Sequence, residues 1–165
     1  MAVSVRNLFL NAAAAGLYAA LTLGLSPLSY GPLQVRLSEC MTLLAFYDRK
    51  WVPGLTAGCL LANLGSPFGV TDMAVGTAAT FLAVYGMRFC SNVWQASLLP
   101  VLSNGILIGL ELAYLAAIPG DAASVAAVMA YIGAGEFLAV TAVGTVLFRL
   151  LLKNPVLRAY IGSGR

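Results

Sequence analysis

The stretch AASVAAVMAYIGAGEFLAVTAVGTVLFRLL, residues 122–151, decides the fold class of this chain. It contains no proline, one acidic residue near its centre, Glu136, and no basic residue before Arg149. A helix that spans the hydrocarbon core of a bilayer needs about 20 consecutive apolar residues. The stretch exceeds that length and predicts a membrane-spanning helix with an acidic group near its middle.

The whole chain has the composition of an integral membrane protein. Hydrophobic residues make up 61% of its 165 positions and charged residues only 9%, with a mean hydropathy of +0.91, whereas soluble domains carry about 25% charged residues. The net charge of +3 comes from scattered basic residues rather than a run, which favours membrane orientation over nucleic-acid binding. Three separated cysteines and no histidine argue against a disulfide framework, a metal site or a bound cofactor.

Turn signals divide the chain into six apolar segments that we predict to be helices. Their approximate ranges are 7–25, 33–47, 51–64, 70–87, 93–117 and 122–153. The second and third are short for a full span, so a re-entrant pair in a four-span protein is the alternative. The first segment is too long for the apolar region of a signal peptide and is predicted to be retained. With no repeat or linker, residues 1–165 form one all-α, compact six-helix bundle.

The basic residues favour six spans with both termini in the cytoplasm. In that topology eight of the nine fall on the cytoplasmic side, as the positive-inside rule requires: Arg6, Arg49, Lys50, Arg88, Arg149, Lys153, Arg158 and Arg165. Trp51 and Trp94 then lie at the inner interface. A re-entrant hairpin would instead bury Arg49 and Lys50 in hydrocarbon, at a cost of about 3 kcal/mol per charge or more.

Four of the six acidic residues are flanked by apolar sequence: Glu39, Asp72, Glu111 and Glu136. An ionisable group at membrane depth is costly unless it is paired or faces water, so each is a candidate ligand-binding residue. From a helical rise of about 1.5 Å per residue, Glu136 lies about 20 Å along the sixth helix and the other three lie in the outer half. Asn63 ends the third helix, and Asn104 shares a helical face with Glu111. Together, these four acidic residues and two asparagines predict one cavity open to the outside.

Simpler roles remain open for several of these residues. Arg36, the one basic residue on the outer side, is spaced for an i,i+3 ion pair with Glu39. Asp72 lies where a negative charge stabilises a helix N-terminus. Asn63 is placed to cap the third helix or to bond a neighbouring helix. Ion pairing does not explain Glu111 and Glu136, because the sequence has too few basic residues at the same membrane depth.

Small residues form a second pattern. The first helix carries a stripe of Ala12, Ala15, Gly16, Ala19 and Ala20, which suggests a face for a partner helix. Gly54 with Gly58, and Gly105 with Gly109, give G-x-x-x-G spacings that predict close packing within the bundle.

Catalytic motifs are absent. Without histidine there is no His-dependent triad or HExxH site, and neither lysine follows the glycine pattern of a P-loop. We therefore predict that the chain is not an enzyme and that any ATP hydrolysis belongs to other subunits. An intramembrane enzyme using Glu111 and Glu136 is a weaker alternative. A self-sufficient secondary transporter would need more machinery than 165 residues without repeats provide.

Four segments resemble the QueT family of substrate-binding S components of energy-coupling factor (ECF) transporters. They are YGPLQVRLSE (30–39), PGLTAGCLLANLGSPFGVTDMAVGTAAT (53–80), NGILIGLELAY (104–114) and IGAGE (132–136). One departure is the pair Ala45-Phe46, where members of the family often carry proline, and it affects only how the second helix ends.

The resemblance implies a six-helix subunit in a prokaryotic plasma membrane that captures a queuosine precursor from outside the cell, such as queuine or an aminomethyl- or cyano-deazaguanine. It implies docking, through the small-residue face of the first helix, on a transmembrane coupling subunit driven by two ATPases, with loops at about 26–34 and 65–71 gating the site. An S component for another small heterocyclic vitamin is the runner-up. Substrate-binding residues are then expected at Arg36, Glu39, Asn63, Asp72, Asn104, Glu111, Tyr131 and Glu136, with Tyr114 or Tyr30 as other candidates for an aromatic wall.

Overall fold

A computed structural model describes residues 4–30, 34–115 and 121–162, and all regular structure in these ranges is helical. The α-helices are α1 (Val5–Gly24), α2 (Ser26–Ser29), α3 (Leu44–Tyr47), α4 (Val52–Asn63), α5 (Val70–Gly86), α6 (Val93–Leu115), α7 (Ala122–Glu136), α8 (Thr145–Leu151) and α9 (Pro155–Ile161). Three 3₁₀ helices, Leu37–Leu43, Arg49–Trp51 and Met87–Phe89, and one π-helix, Phe137–Gly144, continue these elements.

Within the described ranges, four helices are long and apolar enough to cross a membrane: Val5–Gly24, Val70–Phe89, Val93–Leu115 and Ala122–Leu151. They confirm the first, fourth, fifth and sixth predicted helices. The second and third are also helical but shorter, at Leu37–Tyr47 and at α4, which has 12 residues. Because a 3₁₀ helix rises about 2.0 Å per residue, Leu37–Tyr47 reaches about 20 Å, less than a full span. The six-span count and the cytoplasmic placement of both termini stay predictions.

Polar residues and prolines set several helix starts. Asp121 caps α7 by accepting hydrogen bonds from the Ser124 hydroxyl and backbone N–H, at 2.7 and 2.9 Å, and these bonds lower the pKa of its carboxyl. Pro155 occupies the first turn of α9, where the missing N–H costs nothing, and Asn154 caps that helix. The predicted start at residue 33 differs from the observed one, since Arg36 is still extended and the 3₁₀ helix begins at Leu37.

The glycine pairs bring helices into close contact, as predicted. A Cβ at Gly58 would lie 2.9 Å from the Cβ of Tyr18 and 3.0 Å from Ala15, and one at Gly54 would overlap Asn11. A Cβ at Gly109 would lie 2.7 Å from Met129. These contacts pack α4 on α1 and α6 on α7, so that the helices carrying polar residues are held close together.

The small-residue stripe of α1 divides between two faces. Ala15 and Ala19 are buried, and Ala15 packs on Gly58 of α4. Ala12, Gly16 and Ala20 are exposed, and nothing lies within 4 Å of a Cβ built on Gly16. Only the exposed three are therefore open to a partner helix.

Arg6 and Arg149 contact aromatic rings at one end of the bundle, here called the basic end. The guanidinium of Arg6 stacks on Tyr160 and that of Arg149 on Trp94, at 5.0 and 5.2 Å from the ring centroids. The indole N–H of Trp51 donates to the carbonyl of Ile161 at 2.9 Å, which fixes α9 beside the start of α4. Arg36 lies toward the opposite end of the bundle, beside Asn63 at the end of α4, and its placement on the outer side of the membrane stays a prediction.

Candidate functional site

Arg36 is the centre of a buried polar group that we call the rim cluster, formed with Asn63, Asp72 and Glu111. Its guanidinium lies 3.4 Å from the Asp72 carboxylate and donates to the side-chain oxygen of Asn63 at 3.1 Å. It also donates to the carbonyl of Ser29 at 3.4 Å and lies 5.4 Å from the ring centroid of Tyr30. Asp72 is therefore the ion partner of Arg36, and the i,i+3 pair with Glu39 is not formed.

Asn63 joins the end of α4 to the start of α5. Its amide nitrogen donates to the backbone carbonyl of Asp72 at 3.1 Å and to the thiol of Cys59 at 3.5 Å. Gly76 makes room for this amide, since a Cβ there would lie 2.5 Å from the side-chain nitrogen. This geometry favours the helix-bridging role over a cap, and it leaves the Asn63 oxygen for Arg36.

Glu111, on α6, is the least satisfied member of the rim cluster. The charged side chains of Asp72 and Arg36 lie close enough to interact electrostatically with its carboxyl group. Both carboxylate oxygens are buried and neither has a hydrogen-bond partner among the described residues. An acidic group in this state needs either a proton or a ligand that donates to it.

Deeper in the bundle, Glu39 is held by two hydroxyl groups. Tyr18, from α1, donates a hydrogen bond to its Oε1 atom, and Thr80, from α5, donates to the same oxygen at 3.2 Å. Glu39 and Tyr18 are both fully buried. The second oxygen of Glu39 has no partner in the described part of the chain. Glu39 is thus oriented by protein donors while one oxygen stays available.

Glu136 lies beside Glu39 and is held by α6. Asn104 donates from its amide nitrogen to Oε1 of Glu136 at 2.9 Å, and Glu39 is a close electrostatic neighbour. The Asn104 side-chain oxygen and Oε2 of Glu136 are buried without a partner among residues 4–30, 34–115 and 121–162. We call Glu39, Tyr18, Thr80, Asn104 and Glu136 the deep cluster.

The segment that carries Glu39 and the segment that directly follows Glu136 depart from α-helical geometry and pack on each other. Glu136 ends α7 where the π-helix Phe137–Gly144 begins, and Glu39 lies within the 3₁₀ helix Leu37–Leu43. A Cβ at Gly144 would lie 3.2 Å from Cys40 and from Leu43. Departures of this kind occur often at functional sites, because they re-aim side chains without breaking the helix.

The charges of the two clusters do not balance. They contain four carboxyl groups and, among the described residues, one cationic side chain, Arg36, which already pairs with Asp72. In the part of the chain that the structure describes, Glu39, Glu111 and Glu136 have no cationic partner within hydrogen-bonding distance. The arrangement can accept several hydrogen bonds from a ligand and favours a positive charge on it.

The structure brings together seven of the eight predicted site residues, and the exception is Tyr131. That side chain is 59% exposed on the outside of α7. Tyr114 is 85% exposed, so of the three aromatic candidates only Tyr30 contacts a cluster residue. Within the described ranges, no three His, Cys, Asp or Glu side chains are arranged to hold a metal ion.

Sequence reasoning missed Tyr18 and Thr80. Tyr18 is the one tyrosine within α1, and it follows the small residues that let α4 approach. A polar aromatic residue in such a stripe was a usable signal, because a buried tyrosine hydroxyl needs a hydrogen-bond partner. Thr80 carried no comparable signal, since threonine is common in apolar helices and bonds its own backbone.

Comparison with known proteins places the chain in a family. The sequence model of the QueT transporter family matches residues 8–153. A relative from Lactococcus lactis subsp. cremoris (strain MG1363), named Queuosine precursor transporter QueT, is 41% identical over 70 residues. That alignment spans 41% of each chain, less than half the length of the relative. No solved structure matches significantly. Since the family match covers nearly all the described helices and both polar clusters, the chain belongs to the QueT transporter family.

Proposed function

We propose that this chain is the substrate-binding S component of an ECF importer and that it captures a queuosine precursor. Queuosine precursors are 7-deazaguanines, whose ring edge offers adjacent N–H donors and a carbonyl acceptor. The name of the Lactococcus lactis relative supports this substrate class. The absence of a P-loop from the sequence supports a role in which separate ATPase subunits supply the energy.

The observation that carries the proposal is the set of buried carboxylate oxygens that lack protein partners. Among the described residues they belong to Glu39, Glu111, Glu136 and, at its second oxygen, Asp72, on four separate elements. Buried polar atoms in proteins are almost always hydrogen-bonded, so a group of such atoms calls for a ligand with several donors. A deazaguanine edge provides adjacent donors for one carboxylate, and the Asn104 amide lies beside Glu136 to support that contact.

The excess of carboxyl groups supports a cationic precursor. An aminomethyl-deazaguanine and queuine each carry an amine that is protonated at neutral pH, whereas the cyano compound is neutral. A protonated amine beside a second carboxylate gains a charge-assisted hydrogen bond in a low-dielectric site. We therefore propose that the amine-bearing precursors bind more tightly than the cyano compound. The assignment of Glu111 and Glu136 to the ring edge and the amine stays open.

Tyr30 is the proposed aromatic wall. Its hydroxyl donates to the carbonyl of Ala62 at 2.6 Å, and its ring lies under the guanidinium of Arg36. Tyr30 belongs to the proposed gating loop, and its contact with Arg36 supports a position beside the rim cluster. Stacking on a flat heterocycle would add to the binding energy.

The exposed part of the α1 stripe, Ala12, Gly16 and Ala20, is the proposed docking face for the coupling subunit. Small side chains permit a close approach of two helix backbones in lipid. Ala15 and Ala19 lie on the other side of that helix, against α4, where they hold α1 to the bundle.

Binding by the purified chain tests the proposal. Melting temperatures in detergent would be measured with queuine, with the aminomethyl- and cyano-deazaguanines, and with guanine, thiamine and biotin. A ligand that binds only the folded protein raises stability as its concentration exceeds the Kd. We expect shifts with deazaguanines, larger for the two amines. A shift with a vitamin and none with any deazaguanine would overturn the substrate assignment.

A further inference from the structure

A groove at the basic end lies far from the polar clusters and has no part in the proposed function. It runs between the start of α4 and the end of α5 and has a volume of about 290 Å³. Its walls and floor are apolar or aromatic, and arginines stand at its mouth. The lining residues are Arg49, Val52, Pro53, Phe81, Val84, Tyr85 and Arg88.

The two arginines hold their positions for different reasons. Arg88 donates to the hydroxyl of Tyr85 at 2.5 Å, and its guanidinium lies 4.5 Å from the ring centroids of Tyr85 and Phe89. Arg49 is exposed and forms no ion pair within the described residues, where Asp48 pairs instead with Lys50 at 2.9 Å. The described residues that line the groove therefore include two arginines and no acidic side chain.

The body of the groove faces the hydrocarbon. Phe81 and Tyr85 are 42% and 44% exposed on a helix long enough to span the membrane, and Val84 forms the buried floor. Arg88 follows Phe81 by seven positions, so the groove extends about 10 Å from its charged mouth along the 3₁₀ turn and the end of α5. A charged mouth at the interface above an apolar channel matches the shape and polarity of a phospholipid.

We propose that this groove binds an anionic phospholipid, with its phosphate between Arg49 and Arg88 and one acyl chain along Phe81 and Val84. Basic residues at a membrane interface attract anionic lipids by about 1 kcal/mol each. The other basic side chains at this end add to the positive electrostatic potential without lining the groove. Arg149, which stacks on Trp94, is one of them.

The test compares lipids and variants in detergent-purified full-length chain. Phosphatidylglycerol and phosphatidylcholine with identical acyl chains are titrated, and the midpoint of the rise in melting temperature gives relative affinity. We expect the wild type to prefer phosphatidylglycerol. Arg49→Gln should reduce that preference about fivefold, as expected for about 1 kcal/mol per basic residue, and Arg49→Gln/Arg88→Gln should reduce it further. Arg158→Gln, which removes an exposed arginine outside the groove, is the matched control and should keep the wild-type preference.

Equal titration midpoints for the two lipids in the wild type would overturn the proposal. So would an equal loss of the phosphatidylglycerol preference in Arg49→Gln and Arg158→Gln. An equal shift from millimolar inorganic phosphate would assign the arginines to a soluble anion instead and would also overturn it. Arg49 has no described side-chain contact to lose, so Arg49→Gln stays informative if the double variant Arg49→Gln/Arg88→Gln folds poorly. Deazaguanine binding is measured in the same samples, so failure of either site is seen separately.

Discussion

Arg36 and Asp72 form a buried ion pair, 3.4 Å between nitrogen and oxygen, that joins the entry to the Leu37–Leu43 helix to the first turn of α5. Both side chains are almost fully inaccessible. The pair therefore fixes the position of the Glu39 segment relative to α5. Because Arg36 is paired with Asp72, its positive charge is not available to balance the carboxylates of Glu111 and Glu136.

Replacing Arg36 with methionine should destabilise the protein strongly. The change leaves Asp72 buried without its cation, and breaking a buried pair in this way costs about 3 to 5 kcal/mol. Unfolding in mixed micelles measures the effect. Arg36→Met/Asp72→Leu should recover much of the loss. Lys50→Gln, which breaks the more exposed pair with Asp48, is the control and should cost about 1 kcal/mol or less. Equal losses for Arg36→Met and Lys50→Gln would contradict the structural role.

Glu111→Gln and Glu136→Gln should each weaken deazaguanine binding. The substitutions preserve shape but remove a charged acceptor, and a hydrogen bond to a charged group contributes about 1.5 to 3 kcal/mol. Calorimetry on the purified variants gives the change in Kd. Asp121→Asn, at the cap of α7, removes an acid outside both clusters and should leave Kd unchanged. Wild-type affinity in both glutamine variants would remove these residues from the site.

Tyr18→Phe should lower both stability and ligand affinity. It deletes the donor that orients Glu39 and leaves that oxygen with Thr80 alone, a loss of about 1 to 3 kcal/mol for an unsatisfied buried group. Tyr47→Phe is the matched control, because Tyr47 acts through stacking on Phe148, at 5.6 Å between centroids. If affinity in Tyr18→Phe matches that of the Tyr47 control, Tyr18 has no positioning role.

Gly16→Trp should abolish uptake in cells while leaving ligand binding by the purified chain intact. Open space surrounds Gly16, so the bundle tolerates the side chain, but a close-packed partner helix would not. Ala78→Trp places the same bulk on an exposed position of α5 and should preserve uptake. Normal uptake by the Gly16 variant would rule out this docking face.

The sequence was enough to predict the helices and the gathering of polar residues, since both follow from local rules. A carboxylate cannot face lipid cheaply, so Glu39, Asp72, Glu111 and Glu136 had to turn inward wherever their helices packed. Helical periodicity also places residues that are close in the sequence on different faces of one helix. Tyr131 is five residues before Glu136, about 140° away around an α-helix, and therefore faces outward.

Pairing across the bundle could not be predicted in the same way. The choice of Asp72 over Glu39 as partner of Arg36 depends on an extended conformation at Arg36 and on contacts 36 residues apart. The split of the α1 stripe depends on which side α4 packs against. Neither the 3₁₀ helix at Leu37–Leu43 nor the π-helix after Glu136 has a signature in residue type.

The π-helix at Phe137–Gly144 restricts how the neighbouring Glu136 can move. Lipid offers no hydrogen bonds, so a membrane-embedded backbone cannot unwind without a large penalty. Conversion between π and α geometry exchanges one set of N–H to carbonyl bonds for another and turns the residues on either side about the helix axis. A displacement of Glu136 during substrate release would therefore be rotary, and amide deuterium uptake across this segment should stay slow throughout. Rapid uptake there would point to unwinding instead.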